Sequence, residues 1–247
     1  MSILEVQGLT KSFGGVAAVR GVSFTVEPGE MLALIGPNGA GKSTCFNMLG
    51  GQLPPDSGQV LLQGQNITFL PPRHICRLGV GRTFQITQIF ASMSVRENVQ
   101  TALLSHHRQS WKLWRAADTH HITEAEALLY KVGLATQAAR PSAELAYGDL
   151  KRLELAIALA GQPRLLLMDE PTAGVAPAER AGLMDLVANL AREGQMAVLF
   201  TEHDMEIVFS CADRILVMDH GSLIAEGNAT SIRANPQVQA VYLGTAA

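Results

Sequence analysis

The unbroken run Gly36-Pro37-Asn38-Gly39-Ala40-Gly41-Lys42-Ser43-Thr44 fits the pattern G-x-x-x-x-G-K-[ST]. The chemistry of such a run is the cradling of phosphates. Its glycines let backbone N–H groups curl around phosphate oxygens, and the N-terminus of the following helix adds partial positive charge. Lys42 stands where a lysine reaches the outer phosphates, and Ser43 where a hydroxyl holds Mg²⁺. A glycine-rich turn that merely joins a strand to a helix needs neither the Lys-Ser pair nor its placement. The flanking residues supply the required context: the apolar run 31–35, bounded by Gly29 and Gly36, predicts a buried strand, and 43–49 predicts a helix.

A second apolar run, 165–168, ends in Asp169-Glu170-Pro171. A carboxylate at the tip of a buried strand beside a phosphate loop suits a Mg²⁺ ligand acting through water, which makes Asp169 the candidate. Glu170 would face the γ-phosphate and accept a proton from attacking water or orient it. Two solvated acids in a turn are the bland alternative, which the loop at 36–44 disfavours. His203, in Thr201-Glu202-His203-Asp204 after the apolar run 197–201, and Gln85, in Arg82-Thr83-Phe84-Gln85, are weak signals taken singly.

The elements that must position these residues alternate along the chain. Segments 4–9, 22–26, 31–35 and 60–63 read as strands separated by Gly and Pro. Residues 94–157 read as helical, with capping-box spacing at Ser94/Glu97 and Thr123/Glu126 marking two helix starts. Strands return at 165–168, 197–201 and 215–218 between helical stretches, the rhythm of a parallel sheet with crossover helices, and His220-Gly221 sets up a final short strand pair. The irregular stretch 106–121 holds Trp111, Trp114 and the pairs His106-His107 and His120-His121. Adjacent histidines point apart and no cysteine or carboxylate cluster completes a ligand set, so the expectation is a partly exposed surface with the tryptophans packed on the helical lobe.

The 247 residues suffice for one α/β domain with a subsidiary helical lobe and a core that needs no disulfide or structural metal. Net charge is −3 without basic runs, which argues against nucleic acid as a partner. Cys45, Cys76 and Cys211 are scattered, an odd set suited to reduced thiols in a cytosol. Cys45 could sensitise a neighbouring site to alkylation, but the expectation is a buried, inert thiol. Neither a secretory signal nor a run approaching the roughly 20 apolar residues of a membrane span is read, so any membrane crossing falls to another chain.

Together these residues resemble the ATP-binding cassette ATPases of transporters over essentially the whole chain. The resemblance implies an α/β fold, an ABC-type P-loop ATPase domain with a mixed-sheet core, an N-terminal antiparallel β-subdomain and an inserted helical lobe. It implies one domain over 1–247, with 1–90 and 160–247 as the core lobe and about 91–159 as the helical signature lobe. It places Phe13 on adenine, gives Gln85 the sensing of γ-phosphate, Mg²⁺ and the membrane subunit, and makes His203 the switch histidine. Leu145-Ala146-Tyr147-Gly148-Asp149 occupies the signature position, usually Leu-Ser-Gly-Gly-Gln. Within the family the chain looks most like the LivG-type ATPases of branched-chain amino acid importers. That likeness rests on Gly81-Arg82-Thr83-Phe84-Gln85 with Ile89-Phe90, Leu145-Ala146-Tyr147-Gly148 leading into Lys151-Arg152-Leu153-Glu154, Glu202-His203-Asp204-Met205, and Val241-Tyr242-Leu243-Gly244. LivG-type proteins also carry an insertion near 106–121.

What the resemblance implies is a subunit using ATP and Mg²⁺ at the cytoplasmic face of the inner membrane. It would pair with a LivF-like ATPase, or with itself in isolation, under two permeases served by a periplasmic solute-binding protein. Each nucleotide would lie between one chain's loop and the other's signature, so Ala146, Tyr147 and Gly148 would act in trans. Ala146 lacks the usual serine hydroxyl, a loss of about 1.5–3 kcal/mol of nucleotide binding. Asp149, Leu150 and Ala176 are further departures. The expectation is a heterodimer with unequal sites in which this chain's own loop is the stronger. A lipopolysaccharide-export ATPase, which shares the Tyr-Leu-Gly ending, and a low-turnover nucleotide-binding structural subunit are the rival readings.

Overall fold

A computed structural model describes residues 2–84, 88–107 and 120–243. The strands are β1 (Leu4–Phe13), β2 (Val16–Val26), β3 (Met31–Ile35), β4 (Ser57–Leu62), β5 (Gln65–Asn66), β6 (Val80–Thr83), β7 (Leu165–Asp169), β8 (Ala197–Thr201), β9 (Arg214–Asp219) and β10 (Ser222–Gly227). The helices are α1 (Lys42–Leu49), α2 (Pro72–Arg77), α3 (Val95–His106), α4 (Ile122–Lys131), α5 (Tyr147–Leu159), α6 (Pro177–Gly194), α7 (Met205–Cys211), α8 (Ala229–Ala234) and α9 (Pro236–Leu243).

Two sheets share the work. One is antiparallel, in order β2-β1-β4-β5; the other runs β10-β9-β3-β8-β7-β6, parallel from β9 to β6 with β10 antiparallel at its edge. Strands β3 and β8 are buried at every residue, as a parallel sheet covered on both faces requires. Their alternation divides the core. Met31, Ala33 and Ile35 pack with Val99, Leu129 and Leu153 of the helical segment and with Val187 of α6. Leu32 and Leu34 face the other way, toward Phe46 of α1 and toward Val6, Leu9 and Phe24 of the antiparallel sheet. Both sheet faces are thereby covered, one by helices and one by the second sheet and α1.

The capping box at Ser94 forms: its hydroxyl accepts from the Glu97 N–H at 3.2 Å and its own N–H donates to Glu97 Oε2 at 2.7 Å. The second expected box does not. Helix α4 starts before Thr123, with His121 as N-cap in the left-handed region at φ 56°. Glu126 is instead turned toward Arg96 at 3.3 Å, and Glu124 takes His121 at 3.0 Å. Strands β1 and β2 extend beyond expectation to a turn at Gly14-Gly15, and β4 stops at Leu62 because Gln63 turns at φ 49°. His220 and Gly221, at φ 43° and 85°, make the two-residue β9–β10 turn. Strand β6 and helix α2 lie where no element is read from sequence. Among the described residues no helix is long and apolar enough to cross a membrane. Trp111 and Trp114 lie outside the described residues.

Candidate nucleotide site

The glycine loop joins β3 to α1 as its residue types require. Gly36 sits at φ 153°, where a Cβ would stand 2.0 Å from the Met218 carbonyl oxygen; Gly41, at φ 105°, would meet the Ala18 carbonyl oxygen at 2.3 Å. Only hydrogen fits at either position, so contacts with β9 and β2 fix the loop's path. Gly41 is also the N-cap of α1, which carries no side-chain cap and so leaves its first N–H groups to whatever the loop holds. Lys42 Nζ donates to the carbonyls of Gly36 at 2.7 Å and Pro37 at 3.1 Å. Burial pushes its pKa down from the ordinary lysine value, while the charges of Glu170 and Asp169 oppose that shift. Both carboxylates are therefore near enough to feel the loop's cation.

Those carboxylates are held by the neighbouring strand end. The Thr201 hydroxyl, last residue of β8, donates to Asp169 Oδ1 at 2.7 Å and accepts from the Glu170 N–H at 3.1 Å. Glu170 lies at φ 49°, a conformation costing a non-glycine residue about 1–2 kcal/mol. His203 Nε2 lies 2.9 Å from Glu170 Oε1. Buried Glu202 clamps the two loops together, accepting from the Thr172 N–H at 2.8 Å, the Thr172 hydroxyl at 2.7 Å and the His203 N–H at 3.2 Å. Arg180 of α6 continues the tie, bonding the Val175 carbonyl at 3.0 Å and Asp204 at 3.1 Å.

Ser43 and Asp169 offer oxygen donors alone, a hydroxyl and a carboxylate oriented by Thr201, and that set fits a hard ion such as Mg²⁺. Gln85, the third residue expected on that ion, lies outside the described residues. The residue before it is anchored: the Phe84 N–H donates to Glu154 Oε1 at 2.7 Å, and Lys151 Nζ donates to the Phe84 carbonyl at 3.0 Å. Lys151 and Glu154 face each other at 3.3 Å with side chains 3% and 5% exposed. Arg82 in β6 reaches α1 through Asn47 at 2.9 Å and then Gln52 at 2.7 Å. Its pKa is lowered by burial against the opposing charge of Asp169.

Phe13 is exposed at the tip of the β1–β2 hairpin, with Lys11 Nζ 5.8 Å from its ring centre. Ala146 is the N-cap of α5 without a side-chain bond, and Tyr147 lies exposed over Gly174, where a Cβ would come within 2.8 Å of the ring. Gly148 backs onto Glu179, whose carboxylate would stand 2.5 Å from a Cβ. Asp149 is turned inward to Gln137 Nε2 at 2.8 Å, and Ala176 caps α6 with no side-chain bond. Among the described residues no hydrogen bond or ion pair links 146–148 to the loop at 36–44. Thus Lys42, Asp169, Glu170 and His203 gather at the ends of β3, β7 and β8, whereas the signature residues belong to the helical segment. Thr172, Thr201 and Arg180 escape a reading by motif, and the motifs that contain Lys151, Glu154 and Glu202 say nothing of the pairings these residues make. Only the polar Thr201 closing an apolar run, and the opposite charges at 151 and 154 one helical turn apart, leave a trace in the sequence.

Cys45 is buried and its thiol is pushed up to about 12 by burial, as its expected packing role requires.

Residues 19–173 match the ABC transporter family model, and residues 222–247 match the model of the branched-chain amino acid ATP-binding cassette transporter. The chain is 40% identical over 254 residues to the high-affinity branched-chain amino acid transport ATP-binding protein LivG of Escherichia coli K12, covering 99% of this chain and 98% of that one. It is 41% identical over 251 residues to the corresponding BraF of Pseudomonas aeruginosa, with the same coverage. A nucleotide-free ATP-binding cassette from an ABC transporter superposes with a TM-score of 0.88 at 33% identity, covering 99% of this chain and 100% of that one. An ATP-binding cassette in its ADP conformation gives 0.88 at 32%, covering 99% of each. The chain belongs to the ATP-binding cassette family of ABC transporters.

Proposed function

We propose that this chain hydrolyses ATP as the energy-coupling subunit of an importer for branched-chain amino acids or related small solutes. The observation that carries the reading is the pairing of Glu170 with His203 at 2.9 Å beside the strand that ends in Asp169, with the loop's Lys42 within reach of both carboxylates' charge. In this reading residues 36–44 bind the phosphates and Phe13 stacks on adenine. Glu170 accepts a proton from the attacking water or orients it, and His203 holds the carboxylate in position. Lys42 offsets charge developing on the γ-phosphate. Ser43, Asp169 and Gln85 would hold Mg²⁺, which when bound neutralises phosphate charge.

The same reading makes residues 1–90 and 160–247 the catalytic lobe and about 91–159 the signature lobe. It seats the chain peripherally at the inner membrane's cytoplasmic face beneath two permeases, beside a LivF-like ATPase, with a periplasmic binding protein delivering solute. Coupling to the permeases would pass through 85–90. Ala146, Tyr147 and Gly148 would complete the partner's site in trans, and the missing Ser hydroxyl at 146 would make that site the weaker.

The test is ATP hydrolysis by the chain alone and reconstituted with its partner ATPase and permeases, comparing wild type with Glu170→Gln. Turnover that rises on assembly and falls by about 10²–10⁴ in the variant is the expected result. Nucleotide binding without turnover in the complete assembly would move the chemistry to the partner and favour the structural-subunit reading.

A further inference from the structure

The histidine pairs, expected to make no ligand set, converge in part. The expectation that adjacent histidines point apart fails for the first pair, since the His106 and His107 rings meet edge to face with centres 5.2 Å apart, and the packing of α3 against α4 brings one member of each pair together. His107, the C-cap of α3, stacks on His121, the N-cap of α4, with ring centres 4.7 Å apart and planes 5° from parallel. Glu124, in the first turn of α4, lies under both: His121 Nδ1 is 3.0 Å and His107 Nε2 3.4 Å from its carboxylate. The three ligand atoms lie within 4.8 Å of one another.

The spacing matches a definite chemistry. Tetrahedral Zn²⁺ with bonds of about 2.0–2.2 Å holds its ligand atoms about 3.3–3.5 Å apart; each histidine nitrogen now lies 3.0 or 3.4 Å from the Glu124 carboxylate, and the two nitrogens lie within 4.8 Å of each other, so modest adjustments bring all three to one ion. Two imidazole nitrogens and one carboxylate oxygen are a zinc-class donor set rather than the all-oxygen set of Mg²⁺.

The surroundings also fit. Buried Gln100 of α3 donates to the His120 carbonyl at 2.5 Å, pinning the backbone that carries His121. His121 keeps its left-handed φ of 56° at a helix start with no side-chain cap, the kind of local cost found where a side chain is held for a purpose. The side chains of His107, His121 and Glu124 are 34%, 18% and 38% exposed, and Glu124 lines a surface groove of about 840 Å³ with Leu103, Leu128 and Lys131, so a hydrated ion reaches the donors from solvent.

We propose that His107, His121 and Glu124 form a divalent-metal site of zinc class that clamps the end of α3 to the start of α4. The fourth position is left to water, and the site is independent of the nucleotide loop. By binding residues of both helices it would stabilise the helical segment.

The experiment uses the full-length, tag-free chain and zinc chloride, with affinity read by competition against a chromophoric chelator and stoichiometry by metal content after dialysis. One Zn²⁺ per chain is expected, undiminished by excess Mg²⁺, with Co²⁺ in its place giving the visible absorption of a tetrahedral site. His107→Ala, His121→Ala and Glu124→Gln should each weaken binding at least tenfold, while His106→Ala and His120→Ala leave it unchanged. Circular dichroism checks that each variant folds, and the exposed helix-end substitution at His107 decides the matter should changes at the left-handed His121 disturb folding. Failure to retain zinc, or equal affinity across all five variants, would overturn the proposal, the latter because zinc would then be bound elsewhere, as at Asp169 and His203.

Discussion

Thr201→Val keeps a side chain of similar shape and removes the hydroxyl that joins Asp169 to Glu170. Two bonds go with it. The one donated to the Asp169 carboxylate at 2.7 Å is charge-assisted, worth about 1.5–3 kcal/mol, and the Glu170 N–H, left without its acceptor, costs about 1–3 kcal/mol. Both partners are only part-buried, so water recovers a share, and the lower halves of those ranges apply: a loss of about 2.5–4 kcal/mol. Thr201→Ser is the control, because it keeps the hydroxyl and gives up one buried methyl, about 1 kcal/mol. Urea unfolding should therefore show the Val variant's midpoint well below the Ser variant's, at unchanged slope.

A second readout separates geometry from global stability. Glu170 occupies a left-handed backbone conformation, and the Thr201 bond to its N–H helps to hold it there. Untethered, the carboxylate should lose alignment with water, so kcat in the assembled ATPase should fall at least tenfold while KM for ATP, set by the loop glycines and Lys42, holds. Equal unfolding midpoints for Val and Ser would refute the energetic argument. A normal kcat in the Val variant would refute the tether.

Three more outcomes are expected. Lys151→Met should lower stability by about 3–5 kcal/mol by leaving Glu154 charged and buried, and the double variant Lys151→Met/Glu154→Gln should recover much of that in urea unfolding. Ser94→Ala should cost about 1 kcal/mol near neutrality by removing the α3 cap. Since the Ser94 backbone and side-chain hydrogen bonds depress the Glu97 pKa, that box is fully formed above the unfolded value of 4.5 and weakens as pH falls through the folded value, so the wild-type advantage in melting scans should shrink in acid. Brief maleimide treatment should label exposed Cys76 first and leave ATP hydrolysis unchanged; Cys45, with its thiol at about 12, and Cys211 should react only after urea, as peptide mass spectrometry would show.

The glycine loop at 36–44 and the 169–170 pair are legible in the sequence because they show fixed residue types at short spacing beside apolar runs. The parallel strands are legible for a related reason: burial on both faces leaves unbroken apolar segments such as 197–201. Strand β6 carries Gly81 and Arg82 and lacks any such run, and α2 is a short, mostly exposed helix begun by Pro72, so neither announces itself. The Thr123/Glu126 spacing matches a capping box, yet a tertiary partner, Arg96, takes Glu126, and the helix starts earlier, capped at His121, which pairs with Glu124 three residues on. Thr201 with Asp169, Arg180 with Asp204 and Lys151 with Phe84 are pairings across the fold, which no local spacing encodes.

The proposal of unequal sites rests on where each half of the chemistry is anchored. The loop half closes on itself: Lys42 is held by its own loop, Asp169 and Glu170 by Thr201, and His203 by Glu170 and Glu202. Little rearrangement is then needed before ATP meets it, and prearranged charge is what lowers a barrier. The signature half is differently placed. The N-terminus of α5 has no side-chain cap at Ala146, so its first N–H groups and partial positive charge depend on an outside acceptor, a role a partner's nucleotide phosphates would fill. A serine at 146 would add a hydroxyl donor there. Asp149, drawn back to Gln137, keeps its negative charge engaged within the chain. Ala146→Ser should therefore strengthen nucleotide binding at the partner's loop by about 1.5–3 kcal/mol and leave this chain's own loop unmoved. Equilibrium titration of the assembled pair with a fluorescent ATP analogue, one loop at a time disabled by a Lys→Ala change, would resolve the two sites. A gain at this chain's loop instead would reverse the assignment of the two halves.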